Sequence, residues 1–197
     1  MTIDRRFSVA LLAPIAAIAV TGCGINSVPT AQEEAKAKWA DVQAQYQRRA
    51  DLIPNLVNTV KGFAAQEKTV LTDVTNARAR ATGIQLSGAD LQDPAKVKAF
   101  ADAQAQLSGS LARLLAVQES YPELKSSEQF LALQSQIEGT ENRIAIARRD
   151  YNESVRAYNV LIRTFPSAIG AKVFHGAQPM QPFEASAGSD AAPTVSF

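Results

Sequence analysis

Apolar residues recur every seven positions along most of this chain, and a second set follows each of them by three. From residue 130 the first series reads Phe130, Ile137, Ile144, Tyr151, Tyr158 and Phe165, and the second reads Leu133, Thr140, Ala147, Ser154 and Leu161. That is the spacing of long helices packed nearly parallel to one another. The preceding segment gives Phe100, Leu107, Leu114 and Tyr121. The first helical region gives Trp39, Tyr46, Ile53, Val60, Glu67 and Val74, beside a stripe of Val42, Arg49, Leu56, Phe63, Val70 and Ala77. No β-strand pattern of any length is found. Local signals set the boundaries. Asp93 before Pro94 is a helix start, and that helix is predicted to stop at Tyr121–Pro122. Ser126 with Gln129 forms a capping box for the last helix, which runs to Phe165 before Pro166. Two glycines mark 82–93 as a loop.

Pro54 is the ambiguous point. The stripe keeps its phase through it, which favours one kinked helix. Length favours a corner. Residues 31–82 as one rod would span about 78 Å against about 39 Å for residues 94–119, leaving Trp39, Val42 and Tyr46 without a partner. A break at 50–54 is therefore expected, with Asp51 capping the second helix and Pro54 in its first turn. The fold class expected is all-α: an antiparallel up-and-down four-helix bundle of long helices over residues 31–175, with a corner or kink near Pro54.

The front end differs in kind. Arg5 and Arg6 precede the apolar run "FSVALLAPIAAIAV" at 7–20, and "VTGC" at 20–23 follows. The run is short for a spanning helix, and residues 1–22 have the layout of an export signal. "VTGC" has the order of a lipobox, making Cys23 the expected lipidation site, with residues 23–30 as a lipidated linker. An ordinary cleaved signal and a retained N-terminal anchor are the other two readings. All three put the rest of the chain outside the cytoplasm. After His175 the chain turns small, polar and proline-bearing, so 176–197 is expected to be mostly disordered.

Composition narrows the chemistry. The chain has 197 residues and is 46% hydrophobic and 20% charged. Without residues 1–22, which hold Arg5, Arg6 and Asp4, the basic and acidic counts both stand at 18. Such a chain has no bulk pull toward nucleic acid. One cysteine and one histidine supply neither an intramolecular disulfide nor a Cys/His zinc site. Glu138, Glu141 and Glu153 lie on the last helix without the Glu-x-x-His pairs of di-iron bundles. No nucleophile elbow, phosphate loop or zinc-protease motif is present. The expectation is no enzyme activity, no cofactor and no metal.

The densest charge clusters are Arg48, Arg49 and Asp51, and Arg148, Arg149 and Asp150. The first five of these apart from Asp150 (Arg48, Arg49, Asp51, Arg148 and Arg149) are the candidate interaction surface, against a plainer reading as helix-surface pairs. Arg49 and Glu67 fall on apolar stripes. Arg49 is expected to pack its stem while its guanidinium either snorkels to the surface or meets a carboxylate such as Glu141, and Glu67 to be paired, capped or protonated. The repeat Tyr151–Asn152 and Tyr158–Asn159 reads as packed tyrosines whose polar neighbours bond across helices, or as an aromatic strip facing a ligand. Glu67, Tyr151 and Tyr158 are thus the candidate buried polar residues.

The runs "QYQRRADLIPNLVNTVKGFAAQE" (45–67), "VTNARA" (74–79), "ESYPELK" (119–125), "FLALQSQIEGTENRIAIARRDYNESVRAYN" (130–159) and "FP" (165–166) resemble the LemA family, over residues 32 to about 184. The resemblance implies an antiparallel four-helix bundle and a membrane-associated envelope protein with its domain on the outer side. It implies no established reaction and no catalytic residues. Family members are often held by an N-terminal transmembrane segment, and here "VTGC" stands in its place. The function expected is a lipid-anchored envelope scaffold or interaction module that binds the membrane through Cys23 and an envelope protein or cell-wall partner. The alternative is a small-ligand sensor or carrier using the bundle. Gly24 in place of aspartate points to the outer membrane where the host has one.

Overall fold

Helix α1 runs unbroken from Ser27 to Phe63, straight through Pro54, in a computed structural model that describes residues 26–184. The expected corner at 50–54 is not there. The chain turns instead at Ala64–Glu67 and continues as α2 (Lys68–Gly83). A 3-10 turn at Asp90–Gln92 leads into α3 (Pro94–Ala116), and a second at Val117–Ser120 leads into the short α4 (Pro122–Lys125). Helix α5 (Glu128–Leu161) and the short α6 (Ser167–Val173) complete the helices, and no strand occurs among the described residues.

Helices α1 and α5, with 37 and 34 residues, are the long pair. They run antiparallel, since Trp39 meets Tyr151 and Arg49 meets Glu141. Helix α2 packs on α3 and on the C-terminal half of α1. With 16 residues it spans only about 24 Å of the roughly 55 Å of α1. The mismatch that favoured a corner is therefore real, but irregular chain resolves it. Leu86 and Leu91 of the 84–93 loop, together with Met180 and Phe183 of the tail, cover Trp39, Val42 and Tyr46 in one apolar cluster. A second cluster, with Ile53, Leu56, Val60, Leu107, Leu114, Phe130 and Ile137, fills the other half.

A proline within a helix cannot donate to the carbonyl four residues back, which costs about 3 kcal/mol when nothing compensates. The carbonyl freed by Pro54 is that of Ala50, a buried residue, and Arg78 Nε of α2 donates to it at 2.8 Å. The helix thus continues because a cation from the next helix replaces the missing donor. Arg78→Met is expected to lower stability by about 2 kcal/mol, the usual loss for a charged hydrogen bond to a buried acceptor. In a Pro54→Ala background the residue 54 N–H recovers Ala50, and that loss should shrink below about 0.5 kcal/mol. Urea melts of the four proteins in the cycle measure it.

The local signals fared better. Asp93 Oδ1 accepts from Ala95 N (2.9 Å) and Lys96 N (3.3 Å), with Pro94 in the first turn as expected. The capping serine of α5 is Ser127, which accepts from Phe130 N, and not Ser126. Helix α5 stops at Leu161, so Phe165 leaves the stripe and lies exposed. Helix α1 begins within the expected linker, at Ser27. The tail is described as far as Glu184, and Met180 and Phe183 are buried there. The expected signal at 1–22, the lipidation site Cys23 and residues 185–197 lie outside the described residues.

Candidate functional site

The tyrosine–asparagine repeat of α5 does not bond across helices. It holds the tail. Asn159 donates from Nδ2 to Met180 O (2.8 Å), and its Oδ1 accepts from Met180 N (2.9 Å). One heptad earlier, Asn152 does the same to Phe183 O (2.9 Å) and Phe183 N (2.8 Å). Tyr158 Oη donates to Gln178 O (3.1 Å) and Tyr151 Oη to Gln181 O (2.9 Å). Each amide thus grips both polar groups of one backbone residue, as a neighbouring strand would.

The tail repeats in step. Residues 178–183 read Gln-Pro-Met, Gln-Pro-Phe. Proline fixes φ near −65° and biases the residue before it to extended geometry, so these triplets favour the polyproline II helix. Its period of three puts Met180 and Phe183 on one face, about 9 Å apart. Seven residues of α-helix advance about 10.5 Å, so the two repeats match. Gln181 N donates to Leu91 O (2.8 Å), so the 84–93 loop forms the opposite wall. The backbone N–H groups of 180, 181 and 183 all find acceptors, and prolines at 179 and 182 have none to satisfy. Sequence reading singled out the asparagines and tyrosines. It missed their ligand, whose signal was the three-residue repeat in the tail.

Phe183 enters an aromatic box. It stacks on Trp39 (5.6 Å between centroids, planes at 25°) and meets Tyr151 at 5.7 Å, and Phe100 lies 5.2 Å from Trp39. The Arg148 guanidinium lies over the Phe183 ring, 4.7 Å from its centroid, and Arg148 Nη2 donates to Glu184 O. Burial pushes the Tyr151 phenol well above its ordinary value and raises Tyr158 likewise. Both stay neutral donors at any ordinary pH. Tyr151 and Tyr158 are therefore buried and polar as expected.

Arg49, expected on an interaction surface, is instead 1% exposed and belongs to the interior. Its position on the apolar stripe of α1 points it inward. Nη1 donates to Glu141 Oε1 (2.7 Å) and Ser108 Oγ (2.7 Å), and Nη2 to Gln104 Oε1 (2.6 Å) and Gln104 O (3.3 Å). Gln104 Nε2 in turn donates to Ala81 O (3.2 Å). One guanidinium thereby ties α1, α3 and α5 directly, and α2 through Gln104. Its carbon also lies 5.0 Å from the Tyr46 ring centroid. The Tyr46 phenol is raised by burial, with Arg148 and Arg49 acting against the shift.

Glu67, expected buried, is half-exposed at the turn into α2, where Oε1 accepts from Tyr121 Oη at 3.0 Å. The Tyr121 phenol is raised, chiefly by desolvation and then by that carboxylate. Asp51 does not cap a helix. It is exposed in mid-helix and accepts from Gln47. Arg48 is exposed, and Arg149 pairs with Asp150 at 3.3 Å. The five clustered charges thus divide: Arg49 inside, Arg148 over the tail, and Arg48, Asp51 and Arg149 outside.

Between α3 and α5 lies an open cleft of about 750 Å³, floored by Tyr46 and Arg49 and rimmed by Lys98, Asp102, Glu141 and Arg148. Among the described residues no group of His, Cys, Asp or Glu is placed to hold a metal, and no helix is long and apolar enough to cross a membrane.

Among curated proteins the chain is similar to Magnetosome protein MamQ 2 of Paramagnetospirillum magneticum, 28% identical over 174 residues, covering 80% of this chain and 64% of that protein. It is similar to Magnetosome protein MamQ of Magnetospirillum gryphiswaldense, 26% identical over 180 residues, covering 83% and 66%. Protein LemA of Metamycoplasma hominis is 26% identical over 140 residues, covering 71% and 60%. The chain therefore spans just under two thirds of the length of these relatives. The model of the LemA family matches residues 38–197, from the start of the aromatic stripe on α1 through the clasped tail, and the chain belongs to that family.

Proposed function

We propose that this protein is a non-enzymatic scaffold of the bacterial envelope, tethered to a membrane by lipid on Cys23, with its helices arranged as an up-and-down four-helix bundle. One observation supports this above the others. The end of the bundle from which the chain leads back to Cys23 carries exposed apolar side chains. Val28 and Ala171 belong to one apolar cluster, and α6 packs on α1, whose start lies beside the end of the antiparallel α5. Ile169 and Val173, one turn apart on α6, face outward, flanked by Phe165 (83% exposed) and Phe174 (66% exposed). Cys23 lies four residues before Ser27, a reach of at most about 14 Å when fully extended. A patch of this kind rarely goes uncovered in a soluble monomer. A bilayer held at that distance by acyl chains would cover it, and each buried side chain would add about 1.5–3 kcal/mol. The bundle's sides then face an envelope protein or a cell-wall component.

The cleft between α3 and α5 is what favours the other reading, a small-ligand carrier. It ranks second because the Arg49 donors at its floor already serve Glu141, Ser108 and Gln104. The test is intact mass and membrane fractionation in cells. The parent chain should carry acyl mass and sediment with membranes, and Cys23→Ser should lose both. Ile169→Asp with Val173→Asp, in the lipidated chain, should weaken vesicle binding by about a hundredfold or more. No acyl mass on the parent together with unchanged retention of Cys23→Ser would overturn the proposal.

A further inference from the structure

The clasp on the tail has the properties of a binding site as well as those of a hinge for one strand. It contacts residues 178–183 through main-chain groups and through two apolar side chains three residues apart. Nothing in those contacts requires the segment to belong to the same molecule. We infer that the Tyr151–Asn152 and Tyr158–Asn159 face of α5, walled by the 84–93 loop, is a recognition site for extended Gln-Pro-apolar triplets. Its occupant in trans is the 178–183 segment of a second copy of this chain.

Three observations carry the inference. First, the spacing selects the ligand. Amides seven residues apart on an α-helix match main-chain positions three apart only in a chain of polyproline type, because in a β-strand residues i and i+3 point to opposite faces. Second, the third residue of each triplet is read by burial. Met180 is 1% and Phe183 is 5% exposed, and Phe183 fills the box of Trp39, Tyr151 and Arg148. A second copy presents the same two side chains at the same interval. Third, the connection to the bundle is short and turns sharply. Gly176 takes φ +51°, a left-handed conformation open to glycine, and Ala177 N donates to Ala171 O. Opening this turn frees the segment to leave its own groove and enter a neighbour's, with every contact remade. The chain's own segment competes at an effective concentration of order millimolar, so exchange shows where copies are crowded.

The experiment mixes two full-length variants. Asn152→Ala with Asn159→Ala keeps the segment and lacks the receiving face. Met180→Asp with Phe183→Asp keeps the face and lacks the segment. Neither alone holds a matched pair, and the mixture does. Sedimentation velocity should show a one-to-one complex in the mixture that is absent from either variant alone. Trp39, the sole tryptophan, should shift its emission to the blue as the neighbour's Phe183 covers it. A mixture that sediments as the sum of its parts overturns exchange between copies.

Should the aspartate variant fail to fold, Phe183→Ala is titrated with the synthetic nonapeptide of residues 176–184. A saturable blue shift, weakened at least tenfold by adding Asn152→Ala and Asn159→Ala, supports the site. No saturable shift, binding indifferent to the asparagines, or equal binding of a proline-rich peptide lacking the apolar third residue each overturns it.

Discussion

Arg49→Ala should lower the unfolding free energy by about 4 kcal/mol, more than any other single change proposed for this chain. Two effects combine. The substitution removes a large, fully buried side chain from the helix interior, which costs about 3–5 kcal/mol for groups of this size. It also strands Gln104 Oε1, a buried acceptor that now receives from Arg49 at 2.6 Å. The partner change, Glu141→Ala, should cost less, about 2 kcal/mol. It leaves a buried cation with one acceptor fewer, which is severe in a dry site. Here the Glu141 side chain is 40% exposed, so water reaches the vacated position. A double-mutant cycle in urea gives the coupling, expected at about 1–2 kcal/mol. Arg49→Lys should recover less than half of the loss, because an ammonium cannot reach Gln104, Ser108 and Glu141 as the guanidinium fork does. Full recovery by lysine would show that charge alone, and not the fork, holds the helices.

Phe183→Ala is the second large effect, with a different signature. The tail's side-chain hydrogen bonds to Tyr151, Asn152, Tyr158 and Asn159 number six, each worth about 1 kcal/mol net. Ordering six backbone residues costs about as much, somewhat less with two of them proline. The surplus that keeps the tail docked comes from burying Met180 and Phe183, about 2–3 kcal/mol each. Removing the Phe183 ring should therefore cost about 3 kcal/mol locally. The loss cannot exceed the docking free energy of the segment, since beyond that point the tail detaches and the helices stay folded. Trp39 emission should move to the red, and the amides of Met180 and Gln181 should lose hydrogen-exchange protection, while those of α2 keep theirs. A uniform loss of protection across α2, α3 and α5 would contradict a separable tail.

These two sites show what a sequence discloses of this fold. Heptad spacing marked Arg49 as anomalous, and of the two courses open to its guanidinium, snorkelling out or meeting a carboxylate such as Glu141, the structure takes the second. The Asp93–Pro94 cap was readable because all of its contacts lie within three residues. The corner was not. Ala64-Ala65-Gln66-Glu67 contains neither glycine nor proline, and Pro54, the visible breaker, is neutralised by Arg78 from 24 positions away. The capping serine was missed by one, since Ser126 and Ser127 are chemically alike and only backbone geometry separates them. The tail was hardest. Its prolines and glutamines have the composition of a segment that stays unfolded, and its order depends on two asparagines placed by another helix. The exposed end at α6 was also hidden, since Phe165 continues the stripe in sequence while the helix has already stopped.

The Arg49 layer has one more consequence. It crosses the molecule between the two apolar clusters, one holding Trp39 and the tail, the other holding Ile53 and Leu114. A charged partition in the middle of an oily interior acts as a bulkhead. Loosening on the side nearest the start of the chain is expected to stop there, leaving the far chamber packed.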